Sequence, residues 1–163
     1  MRLITKLTLT TALLLIPANF FGAPVPQSAP NIDVNGSFAP SQVGRGRTVK
    51  GTVVMDIPSG YHTNSNHPLE KFLIATQLQL EAPRGIRVGP VVYPRALLRS
   101  LKFSKSKVSV FEGRTTMRFS VTVPGSFNGN SAEVRGRLRY QACNDDTWFP
   151  PQTREVKLTL GVE

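Results

Sequence analysis

From residue 32 onward, apolar side chains recur at every second position, and that period restricts the chain more than any other feature. Val49, Gly51, Val53, Met55 and Ile57 alternate with Lys50, Thr52 and Asp56. The same pattern runs through Ile74, Thr76, Leu78 and Leu80, and through Met117, Phe119, Val121 and Val123. It returns in Val134, Gly136, Leu138, Tyr140 and Ala142, and again in Val156, Leu158, Leu160 and Val162. Period two sends successive side chains to opposite faces of a strand, so each run predicts a half-buried strand with one wet face. Turn signals separate the runs: Pro58-Ser59-Gly60, Pro83-Arg84-Gly85, Glu112-Gly113, Pro124-Gly125 and Asn128-Gly129. The 13 glycines and 13 prolines suit many short strands joined by turns. Seven to nine strands are expected, in an all-β, immunoglobulin-like two-sheet β-sandwich, with a closed barrel as the competing architecture. The one stretch able to hold a short helix is residues 94–105.

The first residues follow a different rule. Arg2 and Lys6 precede the apolar residues 7–16, and Pro17, Asn19 and a small-residue end at Gly22-Ala23 follow. This layout predicts a secretory signal over residues 1–23. The apolar run is too short and too interrupted for a membrane span. A cut after Ala23 places Phe21 at −3 and Pro24 first, both unfavourable, and a cut after Ala18 places a merely tolerable Ile16 at −3, so an uncleaved anchor is the alternative, and it would be the only membrane contact. No cysteine near the leader offers a lipid attachment point. Pro24, Pro26 and Pro30 mark residues 24–34 as an extended linker. Residues 35–163 then form one domain in a periplasmic or otherwise extracytoplasmic compartment, where disulfides persist.

Charge and chemistry narrow the function. The chain has 20 Lys plus Arg against 10 Asp plus Glu, a formal net charge of +10. That balance favours anionic partners without naming one. Arg135, Arg137 and Arg139 line one strand face, but no aromatic interleaves them for base stacking, so a nucleic-acid partner is not expected. His62 and His67 lie in a polar turn with Glu70 as the only acid close in sequence, which points to loop hydrogen bonding and no metal site. No serine sits in a nucleophile elbow. The adjacent Asp145 and Asp146 read as turn residues. Hydrolase chemistry and a bound cofactor are therefore not expected.

The single cysteine, Cys143, rules out a dithiol–disulfide cycle within the chain. It sits in Tyr140-Gln141-Ala142-Cys143-Asn144-Asp145-Asp146-Thr147-Trp148-Phe149-Pro150-Pro151, where a strand delivers the cysteine to a polar turn and two prolines fix the return. An Asp-rich turn raises a thiol pKa, which argues against an activated nucleophile. This segment resembles the N-terminal periplasmic domain of the thiol:disulfide interchange protein DsbD and its stand-alone relatives. That family typically carries Tyr-Gln-Ala-Cys, a four-residue spacer, a second Cys and a Pro-Pro step. A second stretch is also similar. It runs through Pro58-Ser59-Gly60-Tyr61-His62, Ser65-Asn66-His67-Pro68, Phe72-Leu73-Ile74-Ala75-Thr76-Gln77-Leu78 and Gly89-Pro90-Val91-Val92-Tyr93-Pro94. Together they span roughly residues 35–162.

The resemblance implies an immunoglobulin-like sandwich with a redox site at one end. It also exposes a departure, because Trp148 stands where the family places its second cysteine. Dithiol exchange needs one thiolate to attack and another to resolve the mixed disulfide. What the resemblance implies here is an accessory or partner-binding module of extracytoplasmic thiol–disulfide exchange. Its contact surface would be Tyr61, His62, Asn66, Trp148 and Phe149. Its partner would be an exported thioredoxin-like or membrane electron-transfer protein. The alternative is one-cysteine exchange through Cys143 with an external resolving thiol.

Overall fold

In the computed structural model, residues 28–163 are described, and the leader and the first part of the linker lie outside them. The linker expected over residues 24–34 ends sooner than that: Ile32 is buried in the core and β1 begins at Asp33, so the domain starts before residue 35. Twelve strands form three four-stranded sheets, and there is no helix among the described residues. The strands are β1 (Asp33–Ala39), β2 (Gln42–Val43), β3 (Thr48–Asp56), β4 (His62–Asn64), β5 (Gln77–Glu81) and β6 (Arg87–Val88). They continue as β7 (Leu97–Arg99), β8 (Val108–Phe111), β9 (Arg114–Thr122), β10 (Ser131–Tyr140), β11 (Ala142–Cys143) and β12 (Gln152–Val162). The count exceeds seven to nine because β2, β6 and β11 are only two residues long, too short for a period to show.

Two sheets, ordered β1-β3-β9-β6 and β2-β12-β10-β5, enclose one apolar core. The alternation seen in sequence is the burial pattern: Val49, Val53, Met55, Met117, Phe119, Val121, Val134, Leu138, Leu158 and Leu160 all point inward. Each fully buried aliphatic side chain of this kind contributes about 1.5–3 kcal/mol relative to exposure. Gly51 is required within this layer. Phe119 is its ladder partner, and the ring lies where a Cβ on Gly51 would stand. Phe38, on the other flank of Gly51, meets the Phe119 ring edge-on at 6.1 Å. Ser59-Gly60 and Arg84-Gly85 make tight turns in which Gly60 (φ 81°) and Gly85 (φ 89°) take the positive φ of a type II third position. Tyr61 N–H and Ile86 N–H close these turns onto the Pro58 and Pro83 carbonyls.

On the outer face of the second sheet, Arg135 stands opposite Glu81 and binds Glu133 at 2.7 Å, while Arg137 stands opposite Glu155. The arginine row is thus a solvated face with its charge largely balanced, consistent with the absence of stacking aromatics.

The third sheet, ordered β11-β4-β8-β7, closes one end of the sandwich. It is where the sequence expectations needed correction. Residues 94–105 hold β7 and turns instead of a helix. Ile74 and Ala75 lie outside β5, which begins at Gln77. Backbone groups of this stretch are taken elsewhere: Ile74 N–H donates to Gln141 Oε1 at 3.3 Å, and Thr76, also before β5, donates its N–H to the Ser65 carbonyl at 3.1 Å.

Candidate functional site

The third sheet carries Cys143. β11 pairs with β4, placing Cys143 opposite His62, and β4 pairs with β8 in a register that sets Thr63 opposite Phe111. One step further along that register, His62 Nε2 meets Glu112 Oε1 at 3.1 Å. On the other side of Cys143 the chain folds back through a tight hairpin. Asn144 Oδ1 accepts from the N–H groups of Asp146 and Thr147, both at 2.9 Å, an Asx-type turn. The return strand sets Trp148 directly opposite Cys143. Residues opposed across antiparallel strands project to the same side. Trp148, Cys143, His62 and Glu112 therefore form one row across four adjacent strand segments.

The Cys143–Trp148 pair has a specific geometry. Phe149 N–H donates to the Ala142 carbonyl at 2.9 Å, and Asn144 N–H donates to the Thr147 carbonyl at 3.0 Å. The two bonds flank the pair, so it occupies the non-hydrogen-bonded ladder position, where side chains approach closest and Cα atoms are about 4.5 Å apart. That separation falls at the short end of the ~4.4–6.8 Å range that disulfides span. Here an indole fills the space.

Cys143 is fully buried, in a satellite cluster with Leu73, Leu101, Val108 and Val110, flanked by Phe103 and Trp148. Trp148 packs on Phe103 at 4.2 Å between ring centroids and meets the exposed Phe72 edge-on at 6.1 Å. Burial pushes the thiol pKa up to about 12, with the Asp145 carboxylate as the second cause. The Asp-rich turn legible in the sequence is the lesser of the two causes. At pH 7 such a group is ionised to only about one part in 10⁵, so it is a poor nucleophile.

Glu112 was not identifiable from sequence, because it lies far along the chain from His62. It accepts a bidentate pair from Arg99, Nε at 2.5 Å and an Nη at 2.7 Å. The Arg99 hydrogen bond, ahead of the nearby His62, holds its carboxyl below the usual carboxylate range. Gln141 was also missed as a structural clamp. Its Oε1 accepts from Asn64 Nδ2 at 3.1 Å and from Ile74 N–H, and its Nε2 donates to the Phe149 carbonyl at 3.2 Å. One side chain thus ties β4, the loop before β5 and the hairpin return around Cys143.

The five surface residues expected from the sequence divide into separate places. Phe149 is not at the surface: it is buried in the main core, where its ring meets that of the half-buried Tyr61 at 5.9 Å. His62 is nine-tenths buried beside Glu112. Trp148 belongs to the Phe72–Phe103 cluster. Asn66 lies in the loop after β4, where its Nδ2 is 2.6 Å from His67 Nδ1. The two histidines thus serve different contacts. Among the described residues no three His, Cys, Asp or Glu side chains are grouped to hold a metal.

A sequence profile of the family described as "Thiol:disulfide interchange protein DsbD, N-terminal" matches residues 32–160. This chain belongs to the DsbD N-terminal family. The match runs from the residue before β1 almost to the end of β12, so it takes in all three sheets and the Cys143 hairpin. Among solved structures, the chain is similar to the reduced DsbD N-terminal domain of Neisseria meningitidis, with 14% identity and a TM-score of 0.42. That alignment covers 69% of this chain and 82% of the other. It is also similar to the N-terminal periplasmic domain of ScsB from Proteus mirabilis, with 11% identity and a TM-score of 0.47, covering 72% of this chain and 43% of that one. A comparison with curated proteins finds no match.

Proposed function

We propose that this DsbD N-terminal-family domain is an exported accessory module of thiol–disulfide exchange, which binds a redox partner without cycling a dithiol of its own. The observation that carries the reading is the opposition of Trp148 and Cys143 across the hairpin. The ladder position that would bring two sulfurs together holds one sulfur and one indole. The raised thiol pKa supports the same reading, since a buried neutral thiol neither attacks a disulfide readily nor leaves readily as a thiolate. In this reading residues 1–23 direct export, the Pro-rich residues from 24 act as a spacer up to the domain, which begins by Ile32, and that domain presents Tyr61, Asn66 and Trp148, backed by the buried His62 and Phe149, to an exported thioredoxin-like or membrane electron-transfer protein. The compartment is periplasmic or otherwise extracytoplasmic.

The test is a binding measurement against an exported thioredoxin-like protein of the same organism. The accessory reading expects Cys143→Ala to bind as well as the wild type and Trp148→Ala to bind at least tenfold more weakly. The alternative, one-cysteine exchange through Cys143, expects the reverse: a mixed disulfide trapped by the wild type and lost in Cys143→Ala. Trapping at neutral pH would reject the accessory reading.

A further inference from the structure

The third sheet ends in an open strand. β7 pairs with β8 on one side, and no described strand pairs with its other side. An unpaired edge offers a row of N–H and C=O groups to any extended chain. The apolar side chains on it are not tucked away: Leu97 is 41% and Leu98 55% exposed, on opposite faces of the strand. Beside Leu97 lies a groove of about 570 Å³, lined also by Ile57, Pro58, Tyr61, His62 and Glu112. It contains His62, a nine-tenths buried imidazole whose Nδ1 has no hydrogen-bond partner.

Charge selects the occupant. Residues 94–107 contain Arg95, Arg99, Lys102, Lys105 and Lys107 and no acid; Arg99 is paired with Glu112 and Lys102 lies 3.5 Å from Asp146, which among the described residues leaves Arg95 as the unpaired cation of β7's flank. Arg95 and Arg99 bracket the two leucines, and Arg95 makes no ion pair among the described residues. The nearest acid on the groove, Glu112, is already held by Arg99 and His62. A second copy of this edge would bring cation against cation, which natural edges use to prevent self-pairing. We infer that the β7 edge takes up an extended peptide segment of a partner protein as an added strand, with apolar side chains flanking Leu97 and Leu98 and acidic residues at its ends. Main-chain bonds supply the register and the groove accepts one alternate side chain, the mode of strand addition. The inference rests on the reading of Tyr61 and His62 as part of a partner-binding surface and names the kind of segment they meet.

The experiment uses the isotope-labelled full chain and a capped nine-residue peptide of alternating valine and threonine with two glutamates at each end. Saturable amide shifts at Arg95, Leu97, Leu98 and Arg99 and around the groove are expected. A peptide with lysines in place of the glutamates, or with its inner amides N-methylated, should bind at least tenfold more weakly, and so should Arg95→Glu with the original peptide. Arg137→Ala, on the outer face of the second sheet, should leave peptide binding unchanged, while Trp148→Ala is read only against the whole partner, so failure of the proposed partner contact and failure at β7 register separately. Absence of localised shifts overturns the inference. Equal binding of the lysine or N-methylated peptide also overturns it, as do the same shifts appearing only with phosphatidylglycerol vesicles.

Discussion

The body of the sandwich and its third sheet are built from the same chain under opposite rules. In the body, inward positions are apolar and packed, and the long strands satisfy one another's backbone in continuous registers. In the third sheet and its loops, polar groups are buried without partners. His62 Nδ1, Thr63 Oγ1, Asn64 Oδ1 and Trp148 Nε1 are the orphaned buried side-chain atoms among the described residues, and all lie there. Four of the five large apolar side chains left exposed, Leu69, Phe72, Leu97 and Leu98, lie there as well. Native interiors rarely tolerate orphaned polar atoms, and departures from local consistency gather where a protein works and not where it is merely stable. On the proposal above, the body supplies stability and the third sheet the interaction.

The contrast breaks first in the body. Leu138→Ala, at a fully buried position between β5 and β12, should lower unfolding stability by about 2–5 kcal/mol, read from the urea midpoint. An effect of up to similar size belongs to Cys143 and appears only in alkali. Its thiol pKa is raised in the folded state from an ordinary 9 to about 12, so the unfolded chain releases the proton first. Stability from this group is intact below pH 9 and falls between pH 9 and 12, by at most about 1.4 kcal/mol per pH unit. The difference between wild type and Cys143→Ala across that window isolates the slope. If the two proteins lose stability in parallel, the thiol is not buried as described.

Glu112 acts at the other end of the pH scale. Its carboxyl pKa is depressed by Arg99, so its contribution is present above the ordinary carboxylate value and is lost as pH falls below it. Glu112→Gln should cost no more than about 1 kcal/mol at pH 7, because Arg99 is half exposed. The cost should vanish in acid, which separates a charge effect from a packing one. The smallest effect is expected on the outer face of the second sheet, where Arg137→Ala should change stability by less than about 0.5 kcal/mol. A larger loss there would blur the distinction between the solvated body face and the third sheet.

The difference between the two regions is also a difference in legibility. The long strands β3, β9, β10 and β12 announce themselves because half-burial imposes a period of two on local sequence. The third sheet does not, since His62–Asn64 and Val108–Phe111 are buried on both faces and carry no alternation. β7 is exposed throughout and carries none either. Its segment, rich in Leu and Lys, has the composition of a helix, and only pairing with Val108–Val110 makes it a strand. The meeting of His62 with Glu112 and the Gln141 clamp are side-chain bonds between distant segments, for which no spacing rule exists. The opposition of Cys143 and Trp148 is different. The hairpin is local, and the four-residue spacer in Asn144-Asp145-Asp146-Thr147 already sets the two residues across from each other.

That opposition is the centre of the account, and Trp148→Cys tests it most directly. A cysteine at this non-hydrogen-bonded ladder position should close an internal disulfide with Cys143 under mild oxidation. Mass spectrometry should then find the loss of two hydrogens and no free thiol in the monomer. A folded, oxidised variant that still carries two free thiols, or that cross-links only between molecules, would contradict the account.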